Sequence, residues 1–416
     1  MKKILILIFS TFYFGSCYSQ LHRDVQVKPF IDTTSSEFKG IFKYWETYMD
    51  TLAVYSIKNH FQIKETNVSI NAFWTKYDVE HYLFPDLVYG SNFGMSFYPV
   101  EKEYFLGFEH RDTNLYEIRT MFVNQNKEIY HDSPDIMFSV PIIKTGYTYK
   151  LYNKFSLLLK ENRIVSKKIG NITYYYSPFY NFNTREAQKL RERIKKFKEG
   201  FGIENNTEIK YLTADNFTEI LSWFGVNYYS IDYDASLGLI NGRALPLNNM
   251  ILSGSGGENY MHEIIHILLK GARKGRYNYF EEGIACYFGD HQGKSYQYHV
   301  KRLKKYLNEN KWIDLSKSLK GYYKTETNAH SYVNTDEKYP MKDFNFYKDD
   351  ITNFTYIINA ALCEIAFRQG SYQKVMDILK AKANTDDDFY QVIEKQLGIK
   401  REDVNKTIKG FINKNY

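Results

Sequence analysis

His262, Glu263 and His266 spell His-Glu-x-x-His inside the apolar run Tyr260 to Leu269. On an α-helix, side chains four residues apart share a face, one turn apart. Two imidazoles at that spacing can reach one cation. Zinc takes such nitrogens at about 2.0–2.1 Å in a near-tetrahedral set. Glu263, beside the first histidine, is placed to take a proton from an attacking water. A catalytic zinc site needs a third protein ligand and leaves its fourth position to water. The candidate is Glu282, sixteen positions after His266, in the segment Tyr279 to Gly289. Between them lie the rest of the first helix, a turn over Gly271 to Gly275, and the start of a second helix. Two antiparallel helices bring Glu282 back beside the histidines.

The elements around this segment divide the chain. Its 416 residues exceed one ordinary core and imply two domains. At 44% hydrophobic and 18% aromatic, the chain can bury sizeable cores and is not a disordered composition. The net charge of +7 falls to +5 without Lys2 and Lys3, and the cations are spread along the chain. Nucleic-acid binding is not supported. Met1 to Ser19 reads as a secretion signal, with Lys2-Lys3 before the short apolar run Ile4 to Phe14. Cleavage after Ser19 is the expected ending. The alternative is a lipobox at Phe14-Gly15-Ser16-Cys17, which would anchor the chain to a membrane through a Cys17 lipid. Either ending places the protein outside the cytoplasm. Cys286 and Cys363 read as thiols on helices.

Residues 20–162 are expected to form an α+β domain. Phe38, Ile41, Phe42, Trp45, Tyr48, Met49 and Leu52 mark an amphipathic helix over Glu37 to Leu52. Strands are expected over Asn67–Trp74, Gly94–Pro99, Tyr104–His110, Tyr116–Val123, Ile136–Val140 and Tyr147–Leu151. Residues 163–416 begin with a strand at Ile172, a charged helix over Arg185 to Phe201, a strand over Glu208 to Leu212, and a short helix over Phe217 to Trp223. Two strands, Gly242–Leu245 and Asn249–Leu252, lead into the His-Glu-x-x-His helix. Helices over Lys294–Asn308, Phe354–Gln369, Tyr372–Ala383, Phe389–Leu397 and Glu402–Asn413 follow.

His-Glu-x-x-His followed by Phe280-Glu281-Glu282-Gly283-Ile284-Ala285 resembles the gluzincin zinc metallopeptidases, in particular the peptidase MA-like group. That group is related to thermolysin and the membrane alanyl aminopeptidases. The resemblance covers roughly residues 165–416, with specific motifs at 260–290. It implies a thermolysin-like domain with a small α/β half and a helical C-terminal half. It also implies Zn2+ held by His262, His266 and Glu282, Glu263 as general base, and a peptide or protein substrate. In the family a sheet edge beside the zinc takes the substrate as an added strand; Gly242 to Leu252 is the candidate edge, a plain hairpin the alternative. Related aminopeptidases use a tyrosine at the head of a later helix to stabilise the oxyanion. Tyr356 matches that position; among 39 tyrosines the alternative is a packed aromatic, and His330 is a second candidate. Where Cys286 stands, related enzymes often carry a polar or acidic residue. The upstream region has Asp232 and Asp234 but lacks the Gly-x-Met-Glu-Asn motif that anchors a free α-amine, and Glu258 lies next to the helix. Cleavage of internal bonds is therefore expected. Residues 20–162 resemble the curved-sheet cone of nuclear-transport-factor-like domains. Rival functions are a zinc amidase acting on a non-protein substrate and a degenerate peptide-binding protein.

Overall fold

The structure, a computed structural model, describes residues 26–27, 31, 33–60, 70–80, 101–124, 134–204, 206–229, 242–245, 249–275, 277–311, 313–319 and 352–416. The fold is mixed α+β and falls into two compact units. One unit is Met1–Val165 with Thr218–Gly238; the other is Ser166–Phe217 with Leu239–Tyr416. The boundary expected at 162/163 compares with a division at Val165/Ser166, and the chain also re-enters the first unit over Thr218–Gly238.

The first unit carries β1 (Gln26–Val27), α1 (Ser36–His60), α2 (Lys76–Glu80), β2 (Glu101–Asp112), β3 (Leu115–Asn124), β4 (Pro134–Thr145), β5 (Thr148–Leu151) and α3 (Lys154–Lys160). Its sheet runs β1-β2-β3-β4-β5; β1 is parallel to β2, and from β2 to β5 each strand is antiparallel to the next. Register shifts in β2 at Phe105/Gly107 and His110/Asp112 mark bulges, which bend a strand and increase its twist. Phe38, Ile41, Trp45, Tyr48 and Met49 of α1 are buried. Phe38 and Phe42 meet the Phe105 ring edge-on, and the Trp45 indole N–H donates to Glu103 at 3.0 Å. Each such apolar side chain contributes about 1.5–3 kcal/mol by burial, so packing, more than helix propensity, holds α1 in place.

The expected strand over Asn67–Trp74 is corrected in its described part. Ile70–Phe73 forms a 3-10 turn, and only Trp74 bridges a strand, at Leu151. Phe73 packs its ring on Tyr44 and Tyr48, and its carbonyl accepts from the Tyr44 hydroxyl, so the segment serves α1 instead of the sheet. The expected strand Gly94–Pro99 lies outside the described residues. β9 (Val226–Tyr229), in the re-entering segment, pairs with β4.

The second unit begins with β6 (Val165–Ile169), β7 (Ile172–Tyr176), α4 (Thr184–Phe201) and β8 (Ile209–Thr213), followed by α5 (Phe217–Trp223) at the crossing between units. It continues with β10 (Gly242–Leu245), β11 (Met250–Ser253), α6 (Met261–Leu268), α7 (Tyr279–Phe288), α8 (Tyr296–Glu309), α9 (Phe354–Lys380), α10 (Asp386–Leu397) and α11 (Arg401–Asn415). The sheet order is β10-β11-β8-β7-β6. β7, β8 and β11 are parallel, and β10 is antiparallel to β11, at one end of the order among the described residues. α4 is the crossover that parallel strands require. Asn183 caps its first turn, and Ala187, Leu190, Ile194, Phe197 and Phe201 form its buried stripe. The two helices expected over Phe354–Gln369 and Tyr372–Ala383 run on as α9, broken by non-helical backbone at Gly370 and Ser371. Among the described residues no helix is long and apolar enough to cross a membrane.

Candidate metal centre

α6 buries Met261, Ile264, Ile265, Ile267 and Leu268, so its position is set by the core. His262 and His266 project from it with rings 5.2 Å apart. The chain then reverses. Gly271 has φ +76°, the left-handed region that favours glycine, just past the end of α6. α7 follows with Glu281 and Glu282 in its first turn, where free amides and the helix dipole favour negative charge. α7 also packs tightly on α9. A Cβ at Gly283 would lie 2.5 Å from the Asn359 carbonyl carbon, so only glycine fits between the two helices.

This packing places Glu282 opposite both imidazoles. Its Oε2 lies 3.3 Å from His262 Nε2 and 3.5 Å from His266 Nε2. A tetrahedron with bonds of about 2.0–2.1 Å has an edge of about 3.3 Å, so both edges to Glu282 match that spacing, and the ligand atoms of the three residues all lie within 4.8 Å of one another. The donor set fits the ion that the sequence implies.

The second nitrogen of each ring is held as well. His262 Nδ1 is 2.8 Å from the Asp290 carbonyl oxygen. A carbonyl can only accept, so Nδ1 carries a proton, and in the neutral ring the Nε2 lone pair turns inward. His266 Nδ1 lies 2.9 Å from Glu281 Oε1, and Arg273 Nε sits 3.4 Å from the other Glu281 oxygen. Such outer partners fix ring orientation and raise ligand basicity. The Arg193 guanidinium lies 3.4 Å from Asp290 Oδ2 and donates to the Asn259 carbonyl at 3.1 Å, clamping both ends of the α6–α7 segment.

The electrostatics follow from this crowding. Burial pushes the His262 and His266 imidazoles down, but Glu282 and Glu263, joined at His266 by Glu281, carry both above their ordinary value of 6.5. Burial pushes Glu282 up, and the two imidazoles overcome it, holding its carboxyl well below the usual range.

Glu263 is buried, and its Oε2 accepts from the Ala244 backbone N–H of β10 at 2.5 Å. Tyr356, in the first turn of α9, has its ring 5.8 Å from that of His291, which is in turn 5.8 Å from His262. It thus stands beside a neighbour of the triad. Glu258 turns its carboxylate to the Asn183 backbone N–H at 2.7 Å. Cys286 sits one turn beyond Glu282, with Sγ 3.9 Å from His262 Nδ1. Asp232, Asp234, His330 and Cys17 lie outside the described residues.

Sequence reasoning found the triad but missed most of its supports. Glu281 was visible as the neighbour of Glu282. The Asp290 carbonyl, the Ala244 amide and Arg193 carry no signal of their own, since main-chain atoms look alike at every position and Arg193 sits in an ordinary charged helix. No family model matches this chain, and no curated protein matches it.

Proposed function

We propose that this protein is a zinc-dependent peptidase of gluzincin type, acting outside the cytoplasm. The observation that carries the reading is the triangle of His262, His266 and Glu282, whose two edges to Glu282 Oε2, 3.3 and 3.5 Å, match those of a tetrahedral zinc site. The arrangement around it supports a thermolysin-like domain: an antiparallel edge strand, β10, beside the His-Glu-x-x-His helix, and a run of helices after it.

Zinc bound there supplies a Lewis acid that polarises a carbonyl and acidifies water. The remaining chemistry belongs to the chain. Glu263, fixed by Ala244 N–H, takes the proton of the attacking water and passes it to the leaving amide nitrogen. Ala244 directs its N–H away from β11, so the same edge of β10 can receive an extended peptide as an added strand. Tyr356 is the candidate donor to the oxyanion, since a phenol can hydrogen-bond developing negative charge. Peptide hydrolysis follows without a covalent intermediate.

Incubating the secreted protein with a mixed peptide library, with and without a chelator, tests this. The expected result is cleavage that the chelator abolishes and added Zn2+ restores. Zinc binding without cleavage of any peptide would overturn the peptidase reading.

A further inference from the structure

The second nitrogen of His262 faces a separate group of ligand-type atoms. Cys286 Sγ lies 3.9 Å from His262 Nδ1. One ligand atom from each of His262, Cys286 and His291 lies within 4.8 Å of the other two. His262, Cys286 and His291 are 4%, 0% and 6% exposed. The proposed hydrolysis uses neither the thiol nor His291.

His291 supplies the second observation. Its Nδ1 is buried without a hydrogen-bond partner, while its Nε2 receives a long 3.3 Å contact from Asn353 N. Buried polar atoms are rarely left so, and each exception calls for a reason. The backbone there is firmly placed, because His299 Nε2 lies 2.7 Å from the His291 carbonyl oxygen.

We propose that Cys286, His291 and His262 Nδ1 form a second cation site, selective for thiophilic ions such as Cd2+ or excess Zn2+. Filling this site withdraws His262 from the triangle it forms with His266 and Glu282. A soft thiolate beside imidazoles favours such ions over Mg2+, Ca2+ or Mn2+. Bonds of about 2.3 Å to sulfur and 2.0 Å to nitrogen require ligand atoms about 3.5 Å apart, so roughly an ångström of closure suffices. The proton balance is explicit. The Cys286 thiol releases a proton to solvent, and the His262 ring proton moves from Nδ1 to the Nε2 that leaves the triangle, so that His262 gives up the Asp290 carbonyl. The His291 ring proton moves to Nε2, giving up the long contact with Asn353. No electron is transferred.

The proposal borrows the catalytic triangle only for the effect on His262; thiolate ligation does not depend on peptidase activity. The test is a Cd2+ titration of the full-length, zinc-loaded protein. Ultraviolet thiolate-to-cadmium charge transfer and the zinc passed to a chromophoric chelator are read together. The band is expected to saturate near one equivalent, with a matching release of zinc. Cys286→Ala should abolish the band, Cys363→Ala should keep it, and His291→Gln should weaken the apparent Cd2+ affinity by about tenfold. Cys286→Ser keeps the side-chain volume and serves if the alanine variant does not fold. A band that survives removal of the Cys286 thiol overturns the site. A band that forms without zinc release overturns the sharing of His262. If the protein loads no zinc, the peptidase reading fails, while the metal-free protein should still show the band.

Discussion

Each side chain of the triad is useful because of what its far end touches. His262 and His266 present Nε2 inward because Asp290 and Glu281 occupy Nδ1. Glu263 is different: its partner is a main-chain N–H, which holds the carboxylate in place by donating to Oε2. Glu263→Gln should therefore retain zinc, measured by atomic absorption, while turnover of a peptide substrate falls by about 10²–10⁴-fold. Unchanged turnover would remove Glu263 from the mechanism. The raised histidine pKa values set a pH dependence. In the metal-free protein the imidazoles hold protons at pH 6.5 and above. A metal must displace them, so affinity should weaken as pH falls and zinc binding near pH 7 should release protons. Calorimetry in buffers of different ionisation enthalpy measures that release, and a heat independent of buffer would contradict it. The same raised values mean that the histidines' contribution to metal-free stability is full below pH 6.5 and is lost as pH rises through the shifted values.

At the scale of elements, three helices share the work. α6 carries the two histidines and the proposed base, α7 carries the proposed third donor, and α9 backs α7. The contact that sets the depth of α7 is Gly283 against the Asn359 and Ala360 backbone. Gly283→Ala should push the two helices apart, costing about 1–3 kcal/mol in chemical denaturation. Because Glu282 is the neighbouring residue, zinc affinity should drop in the same variant, as read by chelator competition. Wild-type stability and affinity together would show that the contact relaxes freely. This glycine stood out in the sequence as part of Glu-Gly-x-Ala, but its reason is the backbone of a helix some 76 positions later. The strand mistaken at Ile70–Phe73 has a similar origin. Its apolar residues are wanted by the aromatic cluster on α1, and a local pattern does not say which partner claims them.

At the scale of the whole molecule, the second unit alone supplies every member of the triangle and its supports. Substrate choice is the property that depends on what surrounds that centre. Glu258, the acid closest in sequence to α6 on its N-terminal side, is committed to the Asn183 amide. An N-terminal ammonium drawn into the site would gain no compensation from it for lost hydration. An N-acetylated peptide and its free-amine twin should therefore be cleaved at comparable rates, at internal bonds. Stepwise loss of single residues from the free-amine form alone would reveal an amine anchor elsewhere in the chain.

The sequence by itself determined which candidate ligand types are present, their spacing along one helix, the candidate base beside them, and most helices and strands of the second unit. These are local properties: a four-residue spacing fixes which side chains share a helix face, and an apolar stripe fixes which face is buried. Only the tertiary structure decided that Glu282 reaches both histidines while Glu281 turns to His266 Nδ1, because that depends on the depth at which α7 packs on α9. It also decided that a carbonyl holds His262 where Cys286 offers no carboxylate, and that the Ala244 amide meets Glu263. Main-chain partners of this kind are chosen by packing between segments distant along the chain, and one linear pattern of side chains does not encode which amide or carbonyl will arrive.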